Sequence, residues 1–170
     1  MSDAAPSSQG SPFWRFSLQF YRLPKVADAC IALQEEAGVD VNLLLFLLWH
    51  ARQRRRLSKA DVAALETRIA PWRDVTVIPL RSVRRALKSP PALVEPSTAE
   101  AFRNRIKAVE LEAERLQQEA MYMLAPLGAE AGDPNEAAAA NVGAYQDMLG
   151  VRFPPAVTVA LLAAFAAIPE

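Results

Sequence analysis

Val41-Asn42-Leu43-Leu44-Leu45-Phe46-Leu47-Leu48-Trp49 holds eight apolar side chains and one amide. Wound at about 3.6 residues per turn, such a run has no polar face, so it reads as a helix enclosed on all sides. It is about half the roughly 18 to 20 apolar residues that cross a bilayer, which makes it the central helix of a core rather than a membrane span. Asp40 stands where a helix cap belongs, and Gly38 closes the helix before it, whose apolar face is Val26, Ala29, Cys30 and Leu33. Arg52, Arg54, Arg55 and Arg56 follow the run. There the chain has to re-emerge into water, and cations suit the C-terminal end of a helix dipole.

Upstream, Pro12 suits a first helical turn, and Phe13, Trp14, Phe16, Phe20 and Tyr21 concentrate aromatics on one short helix. Residues 1–11 contain Pro6, Gly10 and four serines, too little apolar area to order, and are expected to be a disordered tail. Downstream, Ser58 and Asp61 make a capping box for a helix carrying Val62, Leu65 and Ile69, and Pro71 marks a fresh start. Pro79 predicts a kink or a break in the helix from Trp72 to Lys88, because it lacks an N–H and its ring crowds the preceding turn. Val75 to Ile78 is rich in β-branched residues, but no second strand-like run exists to pair with it, so a strand is rejected there.

Residues 89–97 hold three prolines and read as a linker. Ser97 and Glu100 make a second capping box, opening the longest helix, about 98–124. Its Phe102, Ile106, Val109, Ala113, Leu116, Ala120 and Met123 alternate by four and three, a coiled-coil-like seam. Either a neighbouring helix of the same chain or a second copy can satisfy it, leaving monomer and homodimer both open. Asp133, Pro134 and Glu136 open a helix over 135–149, and Gly150 with Pro154-Pro155 separates it from a last one over 155–168. That last helix is apolar enough to be core or to lie at an interface. The fold expected is all-α: a compact bundle of about six to eight helices in one domain over 12–170, its halves 12–88 and 98–170 packed together.

Composition narrows the chemistry. Among 170 residues, 19 basic and 19 acidic side chains balance to zero net charge, so no global field draws the chain to nucleic acid or membrane. One cysteine, Cys30, permits no intrachain disulfide and fits a reducing compartment; the opening residues lack a signal-peptide pattern, and the cytoplasm is the expected location. His50 is the only histidine, at the emergent end of the central helix, with no partner placed to make a triad or a metal site. Cys30 reads as a small buried hydrophobe. Six scattered glycines make no phosphate loop. No catalytic set, cofactor loop or metal cluster emerges, and none is expected. Asn42 is the polar exception on the enclosed helix and needs hydrogen-bond partners.

Charge is unevenly distributed. Between Arg52 and Lys88 eleven basic residues face three acids, whereas residues 89–170 carry eleven acids and five bases. Arg81, Arg84, Arg85 and Lys88 recur at i, i+3, i+4 and i+7, a cationic stripe on one helical face, with Leu80, Val83 and Leu87 opposite. Internal compensation by the acidic half is one outcome. If the stripe is open, an accessory or adapter protein docking a protein partner is the leading expectation. A nucleic-acid-binding accessory protein using the 52–88 segment is the alternative, although the stripe lacks interleaved aromatics. A small-ligand or enzymatic site needs a pocket between helices near Asn42, His50 and the first-helix aromatics.

Several motifs taken together resemble a known group. They are Phe16-Ser17-Leu18 with Phe20-Tyr21; Val26 to Cys30 with Leu33-Gln34; Gly38-Val39-Asp40-Val41-Asn42-Leu43-Leu44-Leu45 with Trp49; Pro71-Trp72-Arg73; Pro79-Leu80-Arg81 with Arg84-Arg85; and Lys107 to Glu114. Over about residues 13–125 the chain resembles an uncharacterised family of small helical proteobacterial proteins, a domain of unknown function. The resemblance implies a compact helical cytosolic protein of bacterial origin and supplies no activity, cofactor or site.

Overall fold

The structure is a computed structural model that describes residues 10–169. Among these residues the chain is helical almost throughout, and it forms a compact all-α fold. The helices are α1 (Pro12–Tyr21), α2 (Val26–Ala37), α3 (Val41–Arg52), α4 (Lys59–Trp72), α5 (Ile78–Ala86), α6 (Pro96–Tyr122), α7 (Pro134–Leu149) and α8 (Pro155–Ala166). A five-residue π turn, Arg73–Val77, joins α4 to α5 without a break, so seven rods result. Two strands of two residues each, β1 (Arg55–Arg56) and β2 (Ala129–Glu130), pair antiparallel, Arg55 opposite Glu130 and Arg56 opposite Ala129.

The enclosed helix takes the central place its sequence predicts. Every side chain from Asn42 to Ala51 is buried, and α3 packs on α7, α1 and α6 at once. Asp40 caps it, its Oδ1 accepting from the N–H groups of Asn42 (2.8 Å) and Leu43 (3.3 Å). One hydrophobic core runs from Phe13 and Phe20 through Leu33, Leu43 and Leu48 to Tyr145, Leu161 and Phe165, drawing on both sides of the 89–97 segment. Asn141 ties α7 to this core. Its Oδ1 accepts from Leu57 N–H (2.8 Å), and its amide nitrogen donates to Leu47 O (3.0 Å) and Arg55 O (3.1 Å).

Several local expectations are corrected. The tail expected over 1–11 falls mostly on residues 1–9, outside the described residues; Ser11 is placed, buried, and caps α1 by accepting from Trp14 N–H (3.1 Å). Pro71 starts no helix: it sits in the last turn of α4, whose Val62, Leu65 and Ile69 are held in the core. Nor does Pro79 break the rod. The turn before it widens, Ile78 N–H bonding to Arg73 O five residues back, which relieves the ring's crowding of the residue-75 carbonyl. The cap of α6 is Glu95, accepting from Ser97 N–H (3.0 Å) and Thr98 N–H (3.3 Å), because Pro96 occupies the first helical position and holds Glu95 extended. Strand pairing was not foreseen. It depends on Gly128, whose φ is +71° and where a Cβ would stand 2.3 Å from the Arg56 carbonyl.

The long helix differs most from its pattern. α6 buries Ala99, Glu110, Ala113, Gln117, Gln118 and Met121, while Phe102, Val109, Leu116 and Met123 of the seam are 45–78% exposed. α5, whose charged stripe could from sequence be open or compensated, directs Arg81 and Arg84 onto α6 and leaves Val83 exposed. α8 buries Leu161 and Phe165 and exposes an alanine-rich side with Val159. Among the described residues no helix is long and apolar enough to cross a membrane.

Candidate functional site

A cleft of about 1040 Å³ opens between α1, α2, the first turn of α3, α5 and α6. The elements that bound it follow from the packing. α1 and α2 pack on the enclosed helix, while α5 packs on α6 and on the π turn, standing away from the main core. Trp14, Leu18 and Tyr21 from α1 and Leu45 from α3 give apolar wall; Arg81, Arg84, Arg85 and Lys88 from α5 and Lys107 from α6 give positive charge. With Arg22, six cations line the cleft against three carboxylates, Glu35, Glu110 and Glu114.

The cationic stripe divides in two. Arg81 reaches Glu110 Oε1 at 3.2 Å and Glu114 Oε1 at 2.8 Å, and Arg84 binds Glu110 through both Nε and Nη2. The Glu110 side chain is only 8% exposed, so these contacts are sheltered from solvent and fix α5 to α6. Burial raises the Glu114 carboxyl above the ordinary glutamate range, and Arg81 pulls the other way. Hydrogen bonding to Glu110 raises the Arg84 guanidinium. Internal compensation is therefore the state of Arg81 and Arg84. Arg85 makes a loose bridge to Glu35 across to α2 (3.7 Å), both side chains about half exposed, and Lys88 makes no ion pair among the described residues.

Three of the arginines at and just after the end of α3 are engaged with main-chain carbonyls of the second half. Arg52 donates to Ile168 O (3.0 Å) and Pro169 O, Arg54 to Gly132 O, and Arg55 to Leu127 O (3.0 Å) and Gly128 O (2.6 Å). Arg56 sits exposed in β1. The run expected as an interaction surface thus anchors the loops around β2 and the chain after α8. Arg52 to Arg56 do not line the cleft.

Asn42 and His50 part company. Asn42 lies at the cleft, its Oδ1 accepting from Gln118 Nε2 at 2.8 Å. His50 lies elsewhere, fully buried between the Phe46 and Trp49 rings beside a separate cavity of about 550 Å³. Leu127 N–H donates to His50 Nε2 (3.2 Å), so the proton is on Nδ1, which donates to Phe46 O (3.0 Å). Burial pushes the imidazole down to about 4. Both nitrogens are occupied by backbone, which makes His50 a tie between α3 and the 125–127 loop. Burial likewise pushes the Cys30 thiol up to about 12, leaving it a core side chain. No group of three or more potential metal-ligating side chains occurs among the described residues.

Sequence reasoning missed the groups that give the cleft its polarity. Ser17 Oγ and Gln118 Oε1 are buried, line the cleft, and make no hydrogen bond among the described residues. It also missed a network beneath them. Arg73 binds Glu66 through two bonds (3.0 and 2.7 Å) and Asp40 Oδ2 (3.3 Å), Gln117 donates to the same Asp40 oxygen (3.2 Å), and Asp40 N–H donates to Tyr145 Oη (2.9 Å). The signal was present. Glu110 and Gln117 recur at seven residues beside the seam, a polar line that on this helix is the inward one.

A family model described as "Protein of unknown function (DUF2390)" matches residues 12–121. No curated protein and no solved structure matches the chain.

Proposed function

We propose, from the premise that this chain belongs to the DUF2390 family of proteins of unknown function and so inherits no assigned activity, that it is a non-catalytic cytoplasmic accessory protein whose cleft holds an acidic segment of a partner protein. One observation carries the proposal. Arg85, Lys88 and Lys107 border a cleft in which Ser17 Oγ and Gln118 Oε1 are buried without a hydrogen-bond partner. Such oxygens cost about 1–3 kcal/mol each until a donor reaches them. An extended peptide supplies main-chain N–H donors to these oxygens, carboxylates to the cations, and apolar side chains to Trp14, Tyr21 and Leu45. A helix would not, since its main-chain donors are already used. Because Arg52, Arg54 and Arg55 are occupied by carbonyls of the chain itself, the basic run offers little to a phosphate backbone, and a protein ligand is favoured over nucleic acid.

The test uses fluorescence anisotropy with labelled peptides that interleave Asp or Glu with Leu, and with their Lys-substituted counterparts. The acidic set binds, weakens as salt is added, and loses at least tenfold in affinity to the Arg85→Glu/Lys88→Glu variant. Arg84 is left intact because its loss would release Glu110. Absence of binding by every acidic peptide sinks the proposal, and so does tighter binding of a DNA or RNA oligonucleotide that depends on the same two residues.

A further inference from the structure

The seam that α6 leaves outside has its own chemistry, independent of the cleft. Phe102, Val109, Leu116 and Met123 stand seven residues apart and are 48%, 52%, 45% and 78% exposed. A strict seven-residue spacing keeps one row facing a second helix that winds around the first, which a flat or irregular partner does not require. Contiguous apolar rows of this kind are unusual on a chain that functions alone. α6 is 27 residues long, about 40 Å, enough for three heptads of contact.

We propose that this row docks a second copy of the same chain, α6 against α6, antiparallel. The charges beside the row select the occupant and its direction. Beside the row the first half of α6 carries Arg105, and the second half carries Glu112 and Glu119, whereas Arg103, Lys107 and Glu114 are on the side of α5 and the cleft. A parallel copy would set base on base and acid on acid. An antiparallel copy turning about a two-fold axis at Glu112 sets Arg105 opposite the partner's Glu119, and by symmetry Glu119 opposite the partner's Arg105. The same register places Val109 beside the partner's Leu116 and Phe102 between the partner's Ala120 and the partner's Met123. Only the Glu112 pair meets like charge at the axis, and each Glu112 already holds Arg115 at 2.8 Å on its own helix. Arg105 makes no ion pair among the described residues and is exposed. Glu119 has one oxygen on Ser11 N–H (2.8 Å) and makes no ion pair among the described residues.

Light scattering on a concentration series of the full chain reads the assembly, with circular dichroism confirming the fold of each variant. The expected result is a dimer that Val109→Glu/Leu116→Glu converts to monomer and that Arg105→Glu weakens at low salt. Direction is read by a short thiol-to-thiol crosslinker, since the native Cys30 is buried. Glu112→Cys crosslinks to itself across the axis, whereas Phe102→Cys, about 30 Å from its own copy, does not. A monomer at every concentration overturns the proposal. So does a dimer that survives the double glutamate variant, or one in which Phe102→Cys crosslinks and Glu112→Cys fails.

Discussion

His50 shows how a single buried group couples stability to pH. In the unfolded chain its imidazole titrates near the ordinary 6.5, whereas in the fold burial pushes it down to about 4. The unfolded state therefore binds the extra proton first. The neutral ring's contribution is intact above about pH 6.5 and declines as the pH falls through the window between 6.5 and 4. Denaturant unfolding at about pH 7.5 and about pH 4.5 should show the wild type losing about 2.5 kcal/mol more on acidification than His50→Gln does. Equal losses in the two proteins would mean that His50 is protonated within the fold. Glutamine keeps an acceptor for Leu127 and a donor for Phe46 without the titration, so carboxylate effects elsewhere cancel in the comparison. Cys30 gives no such handle, because its thiol is raised to about 12 and stays neutral across the range.

At the scale of the element, the rod α4–α5 and helix α6 explain where sequence and structure diverge. The enclosed helix was legible because eight of nine consecutive residues are apolar and, Asn42 apart, no face of Val41–Trp49 is suited to water. Helices α5 and α6 each have two faces, and amphipathicity alone sends the apolar one inward. Here Val83 of α5 and Phe102, Val109 and Leu116 of α6 stay outside, while Arg81 and Arg84 find Glu110 and Glu114 across a helix pair that stands beside the main core rather than in it. Pairing of that kind depends on two elements about 29 residues apart, which no single-helix pattern reveals. The same logic hid the cleft: its cations were found as a stripe, but Ser17 and Gln118 carry no mark in sequence. Glu110→Gln should weaken this lock by about 2 kcal/mol. Hydrogen exchange then reads the change where it occurs, with amides of α5 exchanging faster and those of α3 and α7 unchanged. Uniform protection in α5 would show that Leu80 and Leu87 hold it without the charges.

For the molecule as a whole, the boundary of the family match and the boundary of the fold do not coincide. The match ends at residue 121, but the core continues through Ala138, Val142 and Tyr145 of α7, Phe153, and Leu161 and Phe165 of α8. These residues cover α3 and α2, and Asn141 satisfies the carbonyls of Leu47 and Arg55 and the N–H of Leu57 from within α7. Tyr145 Oη also closes the Asp40 network that caps the central helix. Removing everything after residue 121 would uncover an entire side of a helix that is apolar all round and strand its polar neighbours. Each orphaned group costs about 1–3 kcal/mol, and losing the burial of several large side chains costs about 2 kcal/mol apiece, together more than a domain of this size has to spare. A fragment of residues 12–121 should therefore show no cooperative thermal transition and should bind a hydrophobic dye, while residues 10–170 melt sharply. Supplying 122–170 as a separate chain should restore the transition if the two halves share one core, as the packing of α3 on α7 requires. A fragment that melts cooperatively alone would place the folding unit inside the matched segment and reduce α7 and α8 to an appendage.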